Sequence, residues 1–113
     1  MTAECVFCRI VAGALPAAVV VETDTVLAFR DIAPQAPVHV VVVPKEHHTD
    51  VAALAAVDPA GLAELVKVAN EVAEREAEGE YRLVFNTGPD AGQSVFHAHG
   101  HVLAGRRMGW PPG

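Results

Sequence analysis

Aromatic side chains are scarce in this chain: one Trp, one Tyr and four Phe make up 5% of its 113 residues. Stacked rings therefore cannot build the core, and Val, Ala and Leu must fill most of it. Basic residues are also few, eight Lys and Arg against fourteen Asp and Glu, for a formal charge of −6. That balance argues against a nucleic-acid polymer as partner, because such partners need a basic surface to displace counterions. The lack of any Lys- or Arg-rich run argues equally against an anionic membrane. No apolar run is long enough to span a bilayer. A secretory leader is not expected either: Glu4 stands where a positive region belongs, Arg9 interrupts the apolar run, and Pro16 follows. The reading is a soluble, cytoplasmic protein, in which Cys5 and Cys8, the only two cysteines, form no stable disulfide.

What is present is the composition of a globular fold. Hydrophobic residues make up 51% and charged residues 19%, and the length suits a single domain over 1–113. "ECVFCRIVAG" has Cys5, Cys8 and Val11 at helical spacing and predicts a short N-terminal helix or turn. Residues 18–22 and 25–31 read as two strands of an antiparallel hairpin joined at Thr23-Asp24. Pro34 and Pro37 break the chain, and 39–44, "HVVVVP", reads as a compact buried strand. The clearest helix is predicted over 59–78, capped by Asp58 with Pro59 at its first position and Gly79 as its stop. Leu62, Leu65, Val66, Ala69, Val72 and Ala73 form its apolar stripe. Lys67, Glu71 and Arg75 can pair along its exposed face. "YRLVFNT" is a fourth strand, and a fifth follows the loop "GPDAGQS". Five strands with one long helix across them predict an α+β domain with a mostly antiparallel sheet.

The fifth strand carries the chemistry. In "GQSVFHAHGHVL" His97, His99 and His101 recur at every second position, half of the chain's six histidines. On an extended strand, residues two apart share a face and stand about 6–7 Å from each other. Phe96, Ala98, Gly100 and Val102 between them suit the opposite, buried face, so the three imidazoles are expected to face a cleft or solvent. Three readings stand: solvated or packed histidines, a metal site, or an imidazole nucleophile tuned by its neighbours. Gly88, Gly92 and Ser94 just upstream leave backbone N–H groups accessible to phosphate oxygens. No G-x-x-x-x-G-K-[ST] sequence occurs, so this is not a P-loop. Imidazoles beside a glycine-rich loop suggest attack at phosphorus.

"QSVFHAHGHVLAGRRMGWPPG" resembles the signature of the histidine triad (HIT) superfamily, H-φ-H-φ-H-φ-φ with φ apolar. It is most similar to its Hint branch, the histidine triad nucleotide-binding proteins. "DIAPQAPVHVVVVPKEH" resembles the same branch, and so does the closing "WPPG"; the match runs from about Cys5 to the C-terminus. Gly100 departs from the pattern, which usually has a larger apolar residue there, and is expected to loosen the strand locally.

The resemblance implies a HIT-like fold and a purine nucleoside phosphoramidase, a hydrolase cleaving the P–N bond between a nucleoside monophosphate and an amine. His99 matches the nucleophile that forms a covalent nucleotidyl-histidine. His101 and Ser94 match positions at the transferred phosphate or leaving group, and His39 one that supports the catalytic imidazole. Asn86 matches a position that also binds phosphate, and Gly92 and Gln93 match nucleotide-binding positions. Asp31 matches the carboxylate that accepts hydrogen bonds from the ribose hydroxyls. Phe7, Ile10, Leu15 and Phe29, with Ile32, correspond to the apolar walls of the base pocket. Without the resemblance, Asp31 reads as a turn aspartate and the apolar set as ordinary core.

Cys5 and Cys8 alone are compatible with half a zinc site, a redox pair or two small buried residues. Bacterial members of the superfamily imply the first: structural Zn2+ held by Cys5, Cys8, His47 and His97, with His48 as the alternative to His47. The family also implies a homodimer with joined sheets. Trp110 is read either as buried against the body of the fold or, by resemblance, as near a partner's site. The alternatives to the phosphoramidase are a dinucleoside polyphosphate hydrolase and a non-catalytic nucleotide- or zinc-binding module.

Overall fold

Five short β-rich runs assemble into one antiparallel sheet, because β-branched residues fit a pleated surface and turns too short for crossovers join most of them. The computed structural model describes residues 5–113; Glu4, weighed above against a leader, lies outside them. The strands are β1 (Val19–Glu22), β2 (Val26–Arg30), β3 (Val38–Pro44), β4 (Tyr81–Val84) and β5 (Gly100–Ala104). Their order across the sheet is β1-β2-β3-β5-β4, with every pair antiparallel. At the first hairpin the Thr23 hydroxyl accepts from the Val26 N–H at 3.0 Å, which makes the connection one residue longer than expected.

Alternation gives the sheet two faces with different duties. Val26 and Ala28 of β2, Val38, Val40 and Val42 of β3, and Val102 and Ala104 of β5 face one way and form the main core. Helix α3 (Pro59–Ala77) covers that face with Leu65, Val68, Ala69, Val72 and Ala73. The expected stripe shifts slightly: Val68 is buried, while Val66 is 40% exposed. Leu27, Phe29, Val41 and Val43 point the other way, under Phe7, Ile10 and Val11 of the short helix α1 (Val6–Val11). His39 and His101 share this second face, since Val41 pairs with His101 and His39 with Leu103. They are therefore diagonal neighbours, within reach of long side chains.

Helix α2 (Val51–Val57) was not expected. Asp50 caps it through the Ala53 N–H at 2.8 Å, and Leu54 drops into the core. Asp58 closes α2 and also caps α3 through the Gly61 N–H at 3.0 Å. Among the described residues no helix is long and apolar enough to cross a membrane. On the surface of α3, Arg75 pairs with Glu71 at 2.5 Å, whereas Lys67 approaches Glu64 rather than Glu71. Trp110 is 84% exposed, which overturns its reading as buried against the body of the fold.

The expected histidine strand is corrected in two ways. Strand β5 begins only at Gly100, so His97 and His99 lie in the irregular segment leading into it. The antiparallel register ends at Val42–Gly100; two residues on, Pro44 has no N–H to offer a partner, and its carbonyl is engaged by the His97 ring at 2.8 Å. The burial pattern also shifts: His97 is fully buried, and Phe96 is 46% exposed.

Gly100 does not leave the strand loose. A Cβ there would lie 2.9 Å from Leu83 Cδ1 and 3.0 Å from Phe85 Cε1, so these side chains already fill the space. Replacing Gly100 by the larger Leu should destabilise the fold by about 1–3 kcal/mol, the usual effect of overpacking. A fall in Tm by calorimetry checks this; an unchanged or raised Tm contradicts it.

Candidate functional site

Two side-chain constellations meet at the segment 97–101. The first is a cluster of metal-ligating groups. Helix α1 carries Cys5 at its N-cap, where Sγ accepts the Cys8 N–H at 3.3 Å, and Cys8 one turn on. His47 follows β3, and His97 precedes β5. The His97 Nε2 engages the Pro44 carbonyl at 2.8 Å, an acceptor only, so this nitrogen holds the proton and Nδ1 presents a lone pair. That Nδ1 stands 3.4 Å from Cys5 Sγ, 3.5 Å from Cys8 Sγ and 3.2 Å from His47 Nδ1, and the last is 3.3 Å from Cys8 Sγ. All four ligand atoms lie within 4.8 Å of one another and can hold a metal ion. His48 is outside the cluster; its ring turns toward Glu46 at 3.1 Å, and its carbonyl accepts the Ala98 N–H at 2.6 Å.

The second constellation is a relay of three imidazoles. The His99 Nδ1 donates to the His97 carbonyl at 2.7 Å, which leaves its Nε2 bare when the ring is neutral. Burial pushes the His99 pKa below the usual histidine value. His39 Nδ1 accepts the Gln35 N–H at 3.0 Å, so its Nε2 carries the proton and donates to His101 Nδ1 at 2.9 Å. His101 is thereby left with its own proton on Nε2. Its pKa is lowered to about 4, first by burial and then by His99 and His39, with Asp31 opposing. A bare nitrogen on His99 and an N–H on His101 thus stand side by side, ring centroids 5.0 Å apart.

Asp31, His39 and His101 also converge closely enough to ligate an ion. The hydrogen bonds argue otherwise. An ion on His39 Nε2 would require a proton on Nδ1, pointed at the Gln35 N–H, and two donors would face each other. This group is a hydrogen-bonded relay, with Asp31 Oδ2 3.4 Å from His39 Nε2 and Oδ1 accepting the Ala33 N–H at 2.7 Å.

The relay opens on a cleft of about 710 Å³. Asn86, Gly92, Ser94, His99 and His101 line one part of it, Asp31 and Ile32 another, and Phe7, Ile10 and Phe29 an apolar part. Most of the residues singled out from the sequence are therefore brought together. Three of them lie off its lining. Leu15 is half-buried elsewhere. His39 sits behind His101. Gln93 is 5% exposed and turned inward: its amide donates to the Thr49 and Val95 carbonyls at 2.9 and 3.0 Å and accepts the Gly88 N–H at 2.9 Å. With all three polar sites used, its side chain braces the loop that presents Gly92 and Ser94.

Sequence reasoning missed Val6, Pro16, Ala17 and Ala18 in the apolar part of the cleft. Val6 could have been found as the neighbour of Phe7 on one short helix; the others carry no chemical signal. It also missed Pro44, whose carbonyl sets the His97 tautomer. Among the described residues Arg30 is the one cation in the lining, and Glu76 already holds it through two hydrogen bonds of 2.9 and 2.7 Å. Of the described residues, an anion in this cleft would meet neutral N–H and O–H donors rather than a free cation.

Known proteins resemble the chain over nearly its whole length. An uncharacterized HIT-like protein of Synechococcus elongatus is 44% identical over 114 residues, covering all of both chains. A 14 kDa zinc-binding protein of Brassica juncea is 40% identical over 123 residues, covering 97% of this chain and all of the other. Among solved structures, a HIT family hydrolase of Legionella pneumophila superposes with a TM-score of 0.92 at 46% identity, covering 97% of this chain and 100% of that one. A HIT family hydrolase of Clostridium thermocellum gives 0.91 at 44% identity, covering 96% of each. The HIT domain model matches residues 12–108, and with the relay and its sheet in place the chain belongs to the HIT domain family.

Proposed function

We propose that this protein is a nucleoside phosphoramidase of the Hint type, cleaving purine nucleoside monophosphate–amine conjugates through a nucleotidyl-His99 intermediate. The observation that carries this reading is the His99 tautomer: the His97 carbonyl takes the Nδ1 proton and leaves Nε2 bare in a cleft with phosphate-sized donors. The two solved relatives named hydrolases support the reaction class.

The base would lie against Phe7, Ile10, Phe29 and Ile32, and the ribose hydroxyls would donate to Asp31. Asn86, Ser94 and the backbone at Gly92 would hold the phosphate oxygens. His99 Nε2 attacks phosphorus as the bond to the amine breaks; the leaving nitrogen accepts a hydrogen bond from His101 Nε2 and takes its proton from water. A second water then attacks the phosphorus with loss of its proton to solvent, and the His99 nitrogen departs with its electron pair while Nδ1 keeps its own proton. Neutral donors already aimed at the phosphate supply much of the stabilisation in such a step.

The Cys5, Cys8, His47 and His97 set fits zinc. With Zn–N near 2.0 Å and Zn–S near 2.3 Å, tetrahedral ligand atoms stand about 3.3 Å (N–N) and about 3.5 Å (N–S) apart. The corresponding separations here are 3.2 Å and 3.3–3.5 Å. When bound, the ion supplies a cross-link rather than chemistry, since four protein ligands close its shell. The relative named a zinc-binding protein supports that identity. A homodimer, by resemblance, and a cytoplasmic location and a single domain over 1–113, from composition and length, remain part of this proposal.

Three outcomes are expected. Offered an AMP phosphoramidate, the protein should release the amine and carry a transient nucleotide mass on His99. His99→Ala should lower kcat/KM roughly 10^3-fold or more. Undiminished release by that variant, or faster turnover of a dinucleoside polyphosphate, contradicts the assignment. Because His99 and His101 must both be neutral, and both pKa values are lowered, that of His101 to about 4, kcat/KM should stay level as pH falls through the ordinary histidine value and decline only below it. An acid limb centred near the ordinary histidine value of 6.5 contradicts the relay. Elemental analysis should find one zinc per chain, lost in Cys8→Ala; a second equivalent would place an ion in the relay.

A further inference from the structure

Helix α1 serves two sites at once. Cys5 and Cys8 are two of the four ligand positions of the metal cluster. Val6, Phe7 and Ile10, on the same six residues, line the cleft. A helix this short does not hold itself together in water, so its place depends on what anchors it. One anchorage is apolar, through Phe7, Ile10 and Val11 on the cluster of Leu27, Phe29, Val41 and Val43. The other is the pair of thiols facing His47 and His97.

Phe7 joins this helix to the reacting group. Its ring lies 5.0 Å from the His99 ring, edge-on at 88°, and 5.5 Å from Phe29 in the apolar part of the cleft. It also lies 6.0 Å from the ring of His97, itself a cluster member. We propose that metal occupancy of the Cys5, Cys8, His47 and His97 cluster sets nucleotide affinity, with Phe7 as the positioning residue that carries the effect to His99 and the base subsite. The inference rests on the nucleotide reading of the cleft and adds a thermodynamic linkage to it. A nucleotide resting on α1 binds the anchored helix better than a displaced one, and only such a differential affinity can couple two sites. The coupling is reciprocal: whatever factor metal adds to nucleotide affinity, nucleotide adds to metal affinity.

The test is titration calorimetry with AMP on the full chain, zinc-loaded and chelator-stripped, with circular dichroism to follow the fold. The zinc-free protein should bind AMP about ten-fold more weakly, within the usual range of coupling between sites. Saturating AMP should tighten zinc by the same factor in competition with a chelator, an effect that a merely structural ion would not show. Zinc-loaded Phe7→Ala should bind AMP more weakly than wild type, and AMP should no longer tighten its zinc. AMP affinities within about two-fold between the zinc-loaded and folded zinc-free wild type overturn the linkage, as does full linkage in Phe7→Ala. Should the zinc-free protein unfold, zinc-loaded Phe7→Ala decides, and wild-type AMP affinity there overturns the proposal. Absence of AMP binding by the zinc-loaded wild type would instead overturn the nucleotide reading itself.

Discussion

Both ring nitrogens and the backbone carbonyl of His97 are committed, and much of the site follows from that. The ring is fully buried, where an unpaired polar group costs about 1–3 kcal/mol. Its Nε2–H meets the Pro44 carbonyl, its Nδ1 faces the thiols of α1, and its backbone carbonyl takes the His99 proton. The first contact lies just past the end of the β3–β5 ladder, the second ties in the N-terminal helix, and the third sets the tautomer of the nucleophile. One side chain thus joins sheet, metal cluster and reaction centre.

The sheet supports this by giving its two faces unlike work. One face is a dry aliphatic core closed by α2 and α3. The other is smaller, closed partly by α1, and carries His39 and His101 at the diagonal spacing that lets them bond. Strand β3 is buried along its whole length because it serves both faces. Gly100 also belongs to this design: with no side chain, it lets Leu83 and Phe85 close over the strand at the point where pairing begins.

Much of this was legible in the chain because it depends on local composition and spacing. β-Rich runs in 18–22, 25–31 and 39–44 announced strands, and Asp58-Pro59 with the stripe behind it announced α3. Helix α2 escaped because "VAALAAV" is apolar on all sides and shows no polar face to mark a period, although Asp50 stood ready as its cap. The reversal of Phe96 and His97 escaped for a different reason. Alternation assigns residues to two faces without saying which face is buried once the strand ends. Gln93 looked like a ligand-binding amide beside Ser94, yet its partners Thr49 and Gly88 turn it inward.

By itself the sequence determined the kinds of groups available and their local order: two thiols one helical turn apart, imidazoles two apart, glycines beside them, a proline closing a valine strand. Those are properties of neighbours along the chain, set by helical and extended spacing. Only the tertiary structure decided which nitrogen of each imidazole is bare. A neutral imidazole has one proton, and where it sits depends on partners such as Gln35 and Pro44, which folding alone brings into contact.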